Sequence, residues 1–209
     1  MLLSIAGVIL AGGLSRRMGG NEKSLLQLAG KQPVTWVADA MRPQVSHLAL
    51  NANGAPERFD FLGLPVLPDT IDGFVGPLAG ILAGMRWAST LEGVTHVVSA
   101  AADTPFLPAD LTARLEAAIE GTDGDGDDIA MADSVGRIHP VFGLWPIHLA
   151  DVLERFLVVE DKRKILEFAN RYTLHSVNFD KPDSDPFFNI NTPDDLEAAE
   201  QMAKAMADE

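Results

Sequence analysis

The sequence predicts one α/β domain, a three-layer α/β/α unit built around a mostly parallel sheet. Three observations carry this. Short apolar runs alternate with stretches of helical spacing over most of the chain, as strands joined by crossover helices do. The first run, 5–10, is apolar throughout, as expected of a strand buried on both faces. Several runs end on glycine or polar residues, where open α/β sheets place their ligand crevice. With 209 residues, 47% of them hydrophobic, the chain can bury a sizeable core, and no repeat or hinge linker divides it.

The first strand feeds into Leu10-Ala11-Gly12-Gly13-Leu14-Ser15-Arg16-Arg17-Met18-Gly19-Gly20-Asn21-Glu22-Lys23. Glycines let backbone N–H groups face an anion with no Cβ in the way, and they tolerate positive φ. Arg16, Arg17 and Lys23 add positive charge beside those amides, so the loop is suited to a nucleoside triphosphate. It is not a Walker A loop, because Asn21 and Glu22 separate Gly20 from Lys23. Nor does Gly12-Gly13-Leu14 supply the Gly-x-Gly-x-x-Gly of a dinucleotide site.

Gly30 breaks the short apolar stretch 25–28, and Val34, Val37, Ala38 and Met41 then mark one face of a helix over 33–41 that Pro43 limits. A second strand over 47–50 ends at Asn51-Ala52-Asn53-Gly54, where Asn53 beside Gly54 reads as turn chemistry. A third short strand, 65–67, brings Asp69 to the same edge, although a plain loop or cap role suits that aspartate equally well. Pro77 stands in the first turn of the next helix, whose Leu78, Ile81, Leu82 and Met85 form a core stripe. The fourth strand, 95–101, runs directly into Ala102-Asp103-Thr104-Pro105. A carboxylate placed there can hold Mg2+, which takes one or two carboxylates plus phosphate oxygens and water. Asp103 is therefore the candidate metal ligand, and Asp110 is the better helix cap.

The run 121–128 begins like a calcium loop, but it lacks the later glutamate and is followed by a strand-like stretch, so it reads as a solvated linker. The residues 137–144 continue the sheet, 147–159 return to helix, and the basic cluster from Asp161 opens another helix whose cations form a solvated face. A last strand spans 173–179. Thr192, Pro193 and Asp195 then spell a capped helix start, an account that leaves Asn189 and Asn191 unexplained.

Composition removes whole classes of function. The chain has no cysteine, which excludes disulfides, thiolate metal sites and cysteine nucleophiles, and its five histidines show no zinc spacing. A formal charge of −14 argues against sequence-independent nucleic-acid binding. It does not forbid an anionic substrate: a cation at ~4 Å contributes about 4 kcal/mol at an effective dielectric near 20, whereas exposed carboxylates beyond ~8–10 Å are screened. The first basic residue is Arg16, so the apolar start is not preceded by the charge of a signal peptide, and no run approaches a membrane span. A cytoplasmic location is the expectation.

In register, Ser15, Arg17, Met18, Gly19 and Lys23 match the Leu-Ala-Gly-Gly-x-Ser-x-Arg-Met-Gly-x-x-Lys signature, and the chain resembles the molybdenum cofactor guanylyltransferase family from Ile5 to about Leu196. Arg16 falls on a variable position of that signature and is read as a solvated side chain. The resemblance implies a Rossmann-related, nucleotide-diphospho-sugar-transferase-like fold with a late antiparallel strand on the acceptor side. It implies a nucleotide half over about 1–106 and an acceptor half over about 107–209 within one nucleotidyltransferase domain. It also implies that Leu10, Ala11, Gly12, Gly13, Lys23, Asn51, Asp69 and Asp103 hold the nucleotide. His139, Asn189 and Asn191 would lie on the acceptor side.

By that resemblance the activity is transfer of GMP from GTP to molybdenum-molybdopterin, with pyrophosphate released and Mg2+ as cofactor. Lys23, Arg17 and Asp103 would carry the catalysis. Partners beyond the substrates would be molybdopterin-delivery proteins and recipient molybdoenzymes, with no nucleic acid or membrane. Other readings stay open: a cytidylyltransferase of the same cofactor, whose loop resembles Leu-Ala-Ala-Gly where this chain has Leu-Ala-Gly-Gly, more distantly a sugar-phosphate nucleotidyltransferase accepting sugar 1-phosphates, and a regulator that binds GTP and pterin without turnover.

Overall fold

The first strand, β1 (Ile5–Leu10), is buried over its whole length, as its unbroken apolar sequence requires. In the computed structural model, which describes residues 4–11, 26–71, 73, 76–121, 126–182 and 184–207, it lies between β2 (His47–Asn51) and β4 (His96–Ala101), parallel to both. The short β3 (Val66–Leu67) extends the sheet beyond β2, again parallel. Leu10 is in register with Asn51 and with Ala101, and Asn51 with Leu67, so four strand ends form one edge.

The other half is β5 (Ile129–Ser134), β6 (Arg137–Pro146) and β7 (Leu174–Asn178), giving the order β3-β2-β1-β4-β6-β5-β7. β6 is antiparallel to both of its neighbours, and every other pairing is parallel. The sheet is thus mostly parallel with one late reversed strand, as the family resemblance implied. The β5–β6 register slips between Met131, opposite Gly143, and Ala132, opposite His139. Residues 140–142 are the surplus, and they begin at Pro140, which has no N–H to give the ladder.

Helices cover both faces. α1 (Pro33–Met41) and α3 (Leu111–Ile119) pack Val34, Val37, Met41, Leu111 and Leu115 against one side of the sheet. On the other side, α2 (Pro77–Ala88), α4 (Ala150–Val158) and α5 (Ile165–Ala169) pack Leu78, Ile81, Leu82, Leu153, Phe156 and Phe168 around Trp145. α2 sits unusually close because it has no Cβ at two contacts. A Cβ on Gly84 would fall 2.8 Å from a Val8 methyl, and one on Gly80 would fall 2.2 Å from Asn51 Oδ1. α6 (Pro193–Ala207) closes a small third core of Leu28, Phe106, Ile190, Ala199 and Ala203.

Local signals were accurate at several helix ends. Pro33, Pro77 and Pro193 each open a helix. Thr192 Oγ1 accepts the Asp195 N–H at 3.2 Å, and Asp195 Oδ2 accepts the Thr192 and Asn191 N–H groups at 2.8 and 2.9 Å, completing the capping box. Two expected helices are shorter than their sequence patterns. Residues 147–149 form a 3₁₀ turn before α4, and α5 starts at Ile165 rather than at 161 because Asp161 has a left-handed φ of 49°. Asp110 is at the N-cap of α3 but makes no side-chain capping bond.

Candidate functional site

The carboxyl edge of the sheet gathers the nucleotide-side candidates that fall among the described residues. Ala11 N–H donates to Asn51 O at 2.9 Å, and Ala102 N–H donates to Leu10 O at 3.0 Å. The backbone entering the glycine loop is thereby held by the segments carrying Asn51 and Asp103. Gly12, Gly13, Arg17 and Lys23 lie outside the described residues.

Asn51 is buried, and its carboxamide N–H₂ donates to Leu67 O at 3.1 Å and to Asp69 Oδ1 at 2.9 Å. Asp69 is gripped a second time by Asn53. Its N–H donates to Asn53 Oδ1 at 2.9 Å, and its Oδ2 accepts Asn53 Nδ2 at 2.8 Å. Asn53 is therefore more than a turn residue, although Gly54 beside it does take a φ of 88°. The absent Cβ of Gly80 is the space in which the Asn51 carboxamide sits. The family resemblance puts Asn51 and Asp69 on the nucleotide side and assigns neither Asn53 nor Gly80 to it; the structure brings all four together.

Asp103 is half-buried just past β4, and its backbone carbonyl accepts the Ile190 N–H at 3.0 Å. This bond joins the metal candidate to the loop that carries Asn189 and Asn191. A single carboxylate at a strand end suits a hard cation that takes its other ligands from phosphate and water. An all-protein cage is a different matter: no three His, Cys, Asp or Glu side chains converge among the described residues.

Next to that junction is a cleft of about 320 Å³, lined by Ala101, Thr104, Arg137, His139, Phe187 and Asn189 among others. The surplus residues 140–142 of β6 line it on one side, and Phe187 and Asn189 of the loop before α6 line it on another. Asn189 is exposed on its rim, while Asn191 is half-buried beyond it with its N–H tied to Asp195. The rings of His139 and Phe187 lie 4.7 Å apart, as do those of Phe142 and Phe187, forming an aromatic wall. Thr104 is 1% exposed, and its hydroxyl has no hydrogen-bond partner among the described residues.

His139 is 7% exposed, with Nε2 2.7 Å from Ser134 Oγ. Ser134 Oγ donates in turn to Asp185 Oδ1 at 2.8 Å. Burial holds the His139 pKa below the ordinary imidazole value, with a smaller opposing pull from Asp185. Neither Ser134 nor Asp185 had a sequence signal, because their partners are remote along the chain. The basic cluster at 162–164 is away from this cleft in its interactions: Lys162 pairs with Glu160 and Glu167, and Arg163 with Asp161. Of the 121–128 run, 122–125 lie outside the described residues, while Asp127 and Asp128 pair with His148 and His175.

A family model described as a MobA-like NTP transferase domain matches residues 7–176. A protein of Mesorhizobium japonicum named molybdenum cofactor guanylyltransferase is 50% identical over 209 residues, covering 99% of each chain. One of the same name from a Bradyrhizobium strain is 48% identical over 98% of this chain and 95% of its own. Among solved structures, molybdopterin-guanine dinucleotide biosynthesis protein A from Archaeoglobus fulgidus superposes with a TM-score of 0.72 at 28% identity, covering 96% of this chain and all of that one. The fold is that of the nucleotide-diphospho-sugar transferases.

Proposed function

The chain belongs to the MobA-like NTP transferase family, and on that premise we propose that it transfers GMP from GTP to molybdenum-molybdopterin, releasing pyrophosphate and forming the guanine dinucleotide cofactor. The observation that supports this most directly is the Ile190–Asp103 backbone bond, which joins the loop lining the cleft of about 320 Å³ to the strand end that would carry the triphosphate.

In this reading an oxygen of the acceptor's terminal phosphate forms a new bond to the α-phosphorus of GTP. The bond from that phosphorus to the bridging oxygen breaks, and pyrophosphate leaves with the electron pair. The attacking oxygen is already anionic, so no protein nucleophile or general base is needed. Positioning and charge stabilisation are what the chain supplies. Amides of Gly12 and Gly13 support the phosphates, and Arg17 and Lys23 offset charge on the transferring and leaving groups. Leu10, Ala11, Asn51 and Asp69 frame the base and ribose, with the Asn53 clasp and the Gly80 gap keeping that frame in shape.

Asp103 would hold Mg2+, which when bound would neutralise phosphate charge. On the acceptor side, Asn189, Asn191, His139 and the hydroxyl of Thr104 contact the pterin-bearing substrate, and the Phe142–Phe187 pair supports a flat ring. No helix among the described residues is long and apolar enough to cross a membrane. We read the working compartment as the cytoplasm, and the further partners as molybdopterin-delivery proteins and recipient molybdoenzymes.

A pyrophosphate-release assay with Mg2+ and molybdenum-loaded molybdopterin, run in parallel on GTP, CTP and ATP, tests the proposal. Release with GTP alone is expected. A preference for CTP overturns the choice of base, and binding of GTP and pterin without release overturns the enzyme.

A further inference from the structure

The Asp185 carboxylate is at a junction of three segments. One oxygen, Oδ1, accepts two hydrogen bonds, from Ser134 Oγ at 2.8 Å and from the Phe187 N–H at 2.9 Å. Asp185 also accepts the Phe188 N–H through its backbone carbonyl at 3.1 Å. Ser134 is the last residue of β5 and is 1% exposed, so its hydroxyl has little access to water. Its other contact is His139 Nε2, 2.7 Å away in the first part of β6.

The direction of each proton follows from chemistry. A carboxylate oxygen only accepts, so the Ser134 hydroxyl spends its single proton on Asp185. The serine oxygen is then an acceptor toward His139, and Nε2 must bring the hydrogen. The ring is thereby held as the Nε2–H tautomer, leaving Nδ1 as its acceptor. The order is Asp185, Ser134, His139, with the serine in the middle and shielded, so this is a holding relay and not a nucleophile. The same carboxylate also sets the Phe187 backbone, and the ring of Phe187 packs 4.7 Å from that of His139. One side chain therefore fixes the tautomer of His139 and the backbone that carries the Phe187 ring.

We propose that Asp185 is a positioning residue that, through Ser134, orients His139 and the 185–190 loop for the acceptor, without touching substrate itself. The proposal rests on the cleft being the acceptor side. The loop is pinned at both ends: Asp185 ties its start to β5, and Ile190 N–H ties its end to Asp103. Loss of the first tie leaves the second in place, so nucleotide-side geometry is preserved while the acceptor wall loosens.

The test uses the full chain and three variants. Ser134→Ala cuts the link to His139 and leaves the bond from Asp185 to Phe187. Asp185→Ala removes both bonds, and Asp185→Asn keeps an oxygen that can accept both. The expected result is an acceptor KM raised by roughly tenfold in Ser134→Ala and Asp185→Ala, the loss for one hydrogen bond to a charged group or through it. The GTP KM should stay within about twofold, and Asp185→Asn should restore most of the loss. Nitrogen-15 NMR of the labelled histidines supplies a readout independent of turnover. The wild type should show the Nε2–H form at His139, identified by its loss in His139→Gln, and the two alanine variants should lose that bias. An unaltered acceptor KM in Ser134→Ala, or a parallel rise in both KM values with no tautomer change, overturns the proposal. If the wild type shows no transfer at all, the functional reading fails, and the NMR comparison alone then decides the relay.

Discussion

Asn53 and Asp69 clasp one another in both directions, amide to backbone and carboxylate to amide, with bonds of 2.9 and 2.8 Å. The other carboxylate oxygen of Asp69 is held by buried Asn51 at 2.9 Å. An exposed loop residue thus fixes the side chain proposed to frame the nucleotide. Asn53→Ala should raise the GTP KM about five- to tenfold, the scale of one or two lost hydrogen bonds, with the acceptor KM unchanged. Steady-state kinetics with each substrate varied in turn checks this.

Gly80 is required by its neighbour. A Cβ there would stand 2.2 Å from Asn51 Oδ1 and 2.9 Å from a Leu10 methyl, so these side chains must shift to admit it. Gly80→Ala should lower unfolding stability by about 1–3 kcal/mol and weaken GTP binding together, because relief requires Asn51 to leave Asp69. Denaturant unfolding and nucleotide titration measure the two effects. Gly76→Ala is the contrast: it meets no atom within 4 Å, and its cost comes from a φ of 78°.

Lys23→Ala and Asp103→Ala should each lower turnover by roughly 10²-fold or more, the usual loss for one transition-state charge contact. The Asp103 backbone carbonyl accepts the Ile190 N–H, so replacing the Asp103 side chain leaves that tie intact. Near-wild-type pyrophosphate release in either variant would remove that residue from the mechanism.

Thr104 should separate stability from function. Its buried hydroxyl has no partner among the described residues, so Thr104→Val removes an unsatisfied group and should leave stability equal or raised by up to about 1 kcal/mol. The same change should raise the acceptor KM severalfold. Thermal unfolding of the variant beside its kinetics checks both halves.

His96 gives a pH signature. Burial, aided by the charge of His148, lowers its pKa from 6.5 to about 4. As pH falls from about 6.5 toward 4, the unfolded chain takes up a proton that the folded one refuses, so stability falls; the contribution is fully present above 6.5. The loss should reach on the order of 2–3 kcal/mol and then level off. His96→Asn, which keeps a polar atom toward Thr95, should flatten that slope when unfolding is followed across the pH range.

Several parts of the molecule could be read from residue order because they depend on near neighbours. The all-apolar β1, the proline-led starts of α1, α2 and α6, and the Thr192–Asp195 box each satisfy a requirement set within a few residues. The polar endings Asn51 and Asp103 were legible for the same reason, since a strand that stops at a polar residue delivers it to the sheet edge. The composition of 161–164 suits a helix, but Asp161 takes a left-handed conformation and the helix begins only at Ile165.

By itself the sequence determined the alternation of strands and helices, the glycine-rich loop and the residues standing at strand ends. Only the tertiary structure decided that reversed β6 enters between β4 and β5, that Pro140 starts a bulge bordering the cleft, and that Asp185 reaches Ser134. The reason is one of range. Periodicity and capping report burial and dihedral angles over a turn or two. A hydrogen bond between residues 51 apart depends on which strands close on one another, and no local pattern encodes that choice.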